Sequence, residues 1–246
     1  MRYDTVLIGS GFAPVGYAIA RGSTLIVEER ELLDTHFSLP LRTFSHTAYA
    51  PVTPLGRELR EILGELMILS EGQMNTPALE IALATLALRH GTHPRLKCRA
   101  VEVKEHTVRI FTNRGFETVE AERVIDTRVS YGGAPAVSLL YEGDGTDGER
   151  EAIVRAFPGA VTEPAFYPRR YAAHLPCDPK REPNALRAEL LRQWEGAVGR
   201  RILSVSPITG VHGLTAEDAH ALCDSLYRNP IEALERGVAF AEEVRG

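Results

Sequence analysis

Residues 4–28, DTVLIGSGFAPVGYAIARGSTLIVE, constrain the chain more than any other stretch. Val6, Leu7 and Ile8 form a short apolar run without helical spacing, which is how a fully buried strand of a parallel sheet reads. Gly9, Ser10 and Gly11 break the run, and Phe12 to Arg21 follows as a helix of small residues. Gly22-Ser23 ends that helix, and Thr24 to Val27 is a second β-branched, apolar run closing on Glu28. The order is strand, glycine turn, helix and strand, with an acid at the tip of the second strand.

This layout meets the needs of a dinucleotide. A pyrophosphate sits against bare backbone N–H groups at a helix N-terminus, and a carboxylate reaches a ribose diol. The expected contacts are Gly9, Ser10, Gly11, Phe12, Ala13 and Pro14 for the pyrophosphate and Glu28, with Glu29 beside it, for the adenosine ribose. The third glycine of G-x-G-x-x-G falls on Pro14, while Ala18 keeps a small residue one turn later. Proline is tolerated in a first helical turn, where its missing N–H would have been unpaired. A carboxylate at position 28 repels a 2′-phosphate, so FAD or NAD is expected and NADP is not.

The chain of 246 residues is long enough for one large domain or a domain with a subdomain, and 44% apolar with 25% charged residues fits a globular protein. A net charge of -5 without a basic stripe argues against nucleic acid as partner. No apolar run approaches the length of a membrane span, and the first strand begins too early to leave room for a secretory leader, so a cytoplasmic location is expected. Cys98, Cys177 and Cys223 form no C-x-x-C pair, so neither a disulfide framework nor a metal site is expected.

Residues 29–54 read as a loop with a polar cluster at Thr43, Ser45, His46 and Tyr49. Arg57 to Leu69 predicts an amphipathic helix with Leu59, Ile62, Leu63, Leu66 and Met67 on one face, and Thr76-Pro77 opens a helix running through Leu88. Leu96 to Val103, Thr107 to Thr112 and Glu117 to Val119 predict a three-stranded antiparallel meander, followed by a separate buried strand Val124-Ile125-Asp126. Val137 to Tyr141, Ala165 to His174 and Arg201 to Val205 read as strands with a helix from Asn184 to Trp194, and Glu142 to Glu149 reads as a solvated hairpin turn. Pro207 to Ala219 predicts a glycine loop and then a helix start at Thr215, where Thr215 and Asp218 form a T-x-x-D cap. Helices are expected at Ala216 to Tyr227 and Ile231 to Val244.

The glycine turn with its ribose acid, the central helix, the meander and the V-I-D strand resemble flavoproteins of the glutathione-reductase fold. Within them the chain is most similar to the p-hydroxybenzoate-hydroxylase branch, which includes aromatic hydroxylases, halogenases, geranylgeranyl reductases and lycopene cyclases. Pro207 to Ala219 resembles that family's loop and helix over the flavin ring. The resemblance implies an α/β fold: a Rossmann-like FAD-binding domain with a parallel sheet and antiparallel meander (1–135 and 201–246), plus a small inserted sheet and helix for substrate (136–200). It places flavin contacts at Gly210, Val211, Gly213, Leu214 and Thr215. Three motifs depart from the family: Pro14, Arg128 where the V-I-D strand leads into a glycine turn, and Leu203-Ser204-Val205-Ser206 where relatives carry a G-D pair whose aspartate holds the cofactor chain.

The leading expectation is an FAD-dependent oxidoreductase acting on a small molecule, with His212 as the candidate catalytic residue. His46, Tyr49, Arg169, Arg170 and Tyr171 are further candidates for substrate contact. The alternative, motivated by the three departures, is a flavoprotein-shaped accessory or binding protein that has lost flavin and works with a protein partner.

Overall fold

The computed structural model describes residues 2–34, 36–38, 41, 49–70, 73–128, 134–178, 180–212 and 220–244. The opening unit forms as its spacing predicts: β1 (Arg2–Ile8), α1 (Phe12–Arg21) and β2 (Thr24–Val27), with β1 and β2 parallel from Thr5 opposite Thr24 to Ile8 opposite Val27. α2 (Pro54–Glu65) begins three residues before the expected start, because Thr53 caps it by accepting from Gly56 N at 2.9 Å. It also ends sooner. Met67 turns to a φ of 53° and the chain enters β3 (Leu69–Ser70), which pairs with β4 (Gln73–Met74). Leu66 and Met67 are therefore exposed and do not join the buried face. A 3-10 turn at Thr76–Ala78 leads directly into α3 (Leu79–Arg89).

The meander comprises β5 (Arg99–Lys104), β6 (Thr107–Thr112) and β7 (Gly115–Asp126). The expected V-I-D strand is no separate element. It is the end of the 12-residue β7, whose first half pairs antiparallel with β6 and whose second half runs parallel to β1, the change of partner falling at Glu120. The sheet order is β2-β1-β7-β6-β5. On one face Leu7, Ile26 and Ile125 join the core of α1, α2, α3 and α6; on the other Val6, Ile8, Leu25 and Val27 pack with Val108, Ile110 and Val119 of the meander.

The second sheet has the order β11-β8-β10-β9, from β8 (Ala134–Glu142), β9 (Val161–Pro164), β10 (Arg170–Pro176) and β11 (Ile202–His212). Two helices cover its inner face, α4 (Asp147–Ala156) and α5 (Pro183–Ala197), through Val137, Leu139, Tyr141, Leu175 and Trp194. Glu142 to Glu149 is not a plain turn: Thr146 accepts from Glu149 N at 3.3 Å and starts α4. The expected strand Ala165 to His174 is broken by a turn with Arg169 at a φ of 60°, so that β9 and β10 form a hairpin.

β11 runs past Val205 through Pro207 to His212, pairing with β8 down to Ala134. Residues Gly210, Val211 and His212, expected in a loop, thus lie on an edge strand, where proline and glycine are tolerated. The expected helix Ala216 to Tyr227 does not form over its described part; residues 220–227 are a turn and a 3-10 segment, Asp224–Leu226. α6 (Pro230–Glu243) follows an Asn229 cap and crosses α1 closely. Cβ atoms at Gly16 and Gly237 would collide with Leu234 O and Ala13 O, so only glycine lets these backbones meet. Among the described residues, no helix is long and apolar enough to cross a membrane, and no group of three His, Cys, Asp or Glu residues is placed to hold a metal ion.

Candidate functional site

The parallel pair β1 and β7 ends at the glycine turn. Gly9 takes a φ of 103° and lies against Thr127, whose N–H and hydroxyl both donate to Ile8 O; a Cβ at Gly9 would stand 2.7 Å from Thr127 Oγ1. Arg128 continues this packing and binds Asp126 through Nε at 2.9 Å and Nη2 at 2.6 Å. Its guanidinium is held charged first by that carboxylate, with smaller help from Glu29 and Glu28.

At the head of α1 the backbone donors meet an internal anion. Phe12 N donates to Asp224 Oδ2 at 2.6 Å and Ala13 N to Asp224 Oδ1 at 2.8 Å, and Asp224 is fully buried. Pro14 has no N–H, and Val15 N bonds Gly11 O. The N–H groups of Phe12 and Ala13 are thereby paired, which removes the cost of leaving these two helix-end donors unsatisfied. Gly11 makes the room: a Cβ there would lie 2.5 Å from Asp224 Oδ2. The carboxylate also meets the positive end of the helix dipole.

Glu28 turns inward and is buried. Its Oε2 accepts from Ser10 N at 3.0 Å and Ser10 Oγ at 2.9 Å, and its Oε1 from Arg30 N at 2.8 Å. Glu29 points outward, 3.6 Å from Arg99. Beyond them, Glu80 accepts from Leu33 N and Asp34 N, while Asp34 accepts from Phe37 N at 2.9 Å and Ser38 Oγ at 2.5 Å. Complete burial pushes the Asp34 carboxyl up to about 6, against the pull of its Ser38 and Phe37 donors. Phe37 then packs edge-on against Phe12, with ring centres 5.6 Å apart.

The other expected residues are dispersed. Gly213, Leu214 and Thr215, like His46, lie outside the described residues, and for Gly210, Val211 and His212 only the backbone strand is described. Tyr49 donates its hydroxyl to Glu235 Oε2 at 2.6 Å, which with burial raises its pKa and commits it to structure. Tyr171 joins the second core beside Tyr141. Arg169 and Arg170 line a cleft of about 450 Å³ with Arg200, Arg201 and Glu142, where Arg200 is bound to Asp144 and Glu149 and Arg170 lies over Tyr167.

Sequence reasoning missed Asp224. An aspartate was sought before Pro207, yet one arrives at the glycine turn from position 224; the available signal was the acid shortly before the Asn229-Pro230 helix start. It also missed the buried polar row on the face of the second sheet away from α4 and α5, where Ser138 Oγ lies 2.7 Å from His174 Nδ1 and Glu163 lies 3.9 Å from His174 Nε2.

No family model matches the chain, and no curated protein matches it. Solved structures do. A geranylgeranyl bacteriochlorophyll reductase-like protein from Thermoplasma acidophilum is 14% identical, with 98% of this chain and 77% of that one covered at a TM-score of 0.57. The p-nitrophenol 4-monooxygenase of Pseudomonas putida is 11% identical, with coverage of 98% and 81% and a TM-score of 0.57. Glycine oxidase from Geobacillus kaustophilus is 14% identical, with coverage of 99% and 95% and a TM-score of 0.57. These structural neighbours are a reductase-like protein, a monooxygenase and an oxidase, and the α/β fold with a parallel-containing sheet and a second, antiparallel sheet is the one they share with this chain.

Proposed function

We propose that the chain binds FAD and acts as an oxidoreductase on a small-molecule substrate. The observation that carries this reading is the anion cradle at the head of α1, where two backbone N–H groups and the bare Gly11 already grip a carboxylate. Once Asp224 leaves, such a cradle offers a diphosphate two backbone donors and the positive end of a helix dipole. On this reading Gly9 to Ala13 hold the diphosphate, Glu28 takes the adenosine ribose, and the ring lies toward residues 210–215, with His212 as proton donor or acceptor to the substrate. Bound FAD would supply the redox chemistry, and the chain's residues would bind and orient it.

Titration with FAD, followed by the visible difference spectrum, is expected to reach one FAD per chain. Glu28→Ala should weaken binding by on the order of 1–3 kcal/mol, roughly five- to hundredfold in Kd, through loss of charge-assisted hydrogen bonds. NADP should not compete, since its 2′-phosphate would face Glu28. Absence of FAD uptake at millimolar concentration would count against the reading.

A second reading, in which the scaffold is retained by an accessory protein without flavin, holds if Asp224 keeps the helix end permanently. A colourless protein that co-purifies with a protein partner would support it; saturable FAD binding would exclude it.

A further inference from the structure

We infer that Asp224 is an internal latch: its carboxylate occupies the place a phosphate would take at the head of α1 and must leave before a dinucleotide's diphosphate can bind there. The inference rests on the FAD reading above and concerns how that site is controlled. It stands on the saturation of the helix end. Within α1 itself Phe12 N and Ala13 N are the first-turn donors left over, since Pro14 has none and Val15 N is bound within the helix, and Asp224 takes both. A diphosphate cannot share them, because each N–H has one hydrogen to give and the like charges would meet inside a buried cradle. Glu28 deepens the conflict, since its carboxylate already accepts from Ser10 within the same turn.

A short strap between the second sheet and α6 carries Asp224. It is a three-residue 3-10 turn between Cys223 and Tyr227, held within itself by Leu226 N to Cys223 O, Tyr227 N to Asp224 O and Tyr227 OH to Ala221 O. Its flanks are anchored separately, by Leu222 in the core and by the Asn229 cap of α6. A change at Asp224 therefore leaves both anchors in place. Free protein would have Phe12 N and Ala13 N closed by Asp224, and ligand would have to displace one anion with another.

The test compares wild type with Asp224→Asn, which keeps the shape and removes the charge. Binding of FAD and of inorganic pyrophosphate is measured by calorimetry and by thermal shift. The latch predicts at least tenfold tighter FAD binding by Asp224→Asn, and a thermal shift with pyrophosphate that is clear in the variant and small in wild type. Tight FAD binding by wild type that Asp224→Asn weakens or leaves unchanged would overturn the latch while upholding the FAD reading, with Asp224 then holding the cofactor itself. Selective stabilisation of the variant by pyrophosphate, with no FAD binding by either protein, would uphold the latch and overturn the FAD reading. No binding of either ligand to either protein would overturn both. Should Asp224→Asn fail to fold, Asp224→Ser, whose shorter hydroxyl still accepts from a helix-end N–H, takes its place under the same criteria.

Discussion

Trp194→Ala is expected to lower stability by about 3–5 kcal/mol, the loss typical of deleting a large buried aromatic side chain. Trp194 is 1% exposed and fills the space between α5 and the second sheet. It meets Tyr141 in a T-shaped contact with centroids 4.9 Å apart, lies 6.1 Å from Phe157, and donates its indole N–H to Arg200 O at 2.8 Å. An alanine removes the ring contacts, opens a cavity and leaves the Arg200 carbonyl without its donor. Denaturant unfolding followed by circular dichroism measures the loss. Because Trp194 is the single tryptophan, wild-type fluorescence reports on this core specifically. A loss under about 1 kcal/mol would mean that the site collapses around the deletion, and that the second core is not organised on this ring.

Glu235→Ala should follow closely, at on the order of 3 kcal/mol, because it leaves several donors without an acceptor at once. Glu235 on α6 accepts from Val52 N at 2.7 Å, Thr53 N at 2.6 Å, Thr53 Oγ1 at 2.9 Å and Tyr49 OH at 2.6 Å. It thus ties the end of the 29–54 loop and the cap of α2 to the far end of the chain. Gly56 exists to admit it: a Cβ there would collide with Glu235 Oε1. A double-mutant cycle separates this contact from general damage. Gly56→Ala should destabilise wild type but be neutral or stabilising beside Glu235→Ala, since the collision is gone and alanine is the better helix former. Additive effects of the two changes would contradict the direct contact.

What the sequence made legible was local. In β1, α1 and β2, strand, turn, helix and acid are written within 25 consecutive residues, and each is fixed by its own spacing, so Gly9, Gly11, Phe12 and Glu28 could be placed together before any coordinates. Pro14, a departure from the glycine pattern that a first helical turn tolerates, sits in such a turn beside Phe12 and Ala13, whose N–H groups Asp224 satisfies. What stayed hidden depends on partners distant along the chain. Asp224 reaches Phe12 across 212 positions, and no spacing rule reports such a contact. β7 continues where two strands were expected because β6 and β1 take it up in succession. β11 extends through Pro207 and Gly210, against their intrinsic preference, because β8 offers it an edge. α4 was legible and misread: the T-x-x-E box of Thr146 and Glu149 announces a helix start, but the glycines and acids around it suggested a turn.

The most direct measurement is a crystal structure of the protein grown with saturating FAD, read at the head of α1. The account predicts diphosphate oxygens within hydrogen-bonding distance of Phe12 N and Ala13 N, the adenosine ribose on Glu28, and the Asp224 carboxylate withdrawn from both N–H groups. A structure in which Asp224 still binds Phe12 N and Ala13 N, with no nucleotide along Gly9 to Ala13, would contradict it.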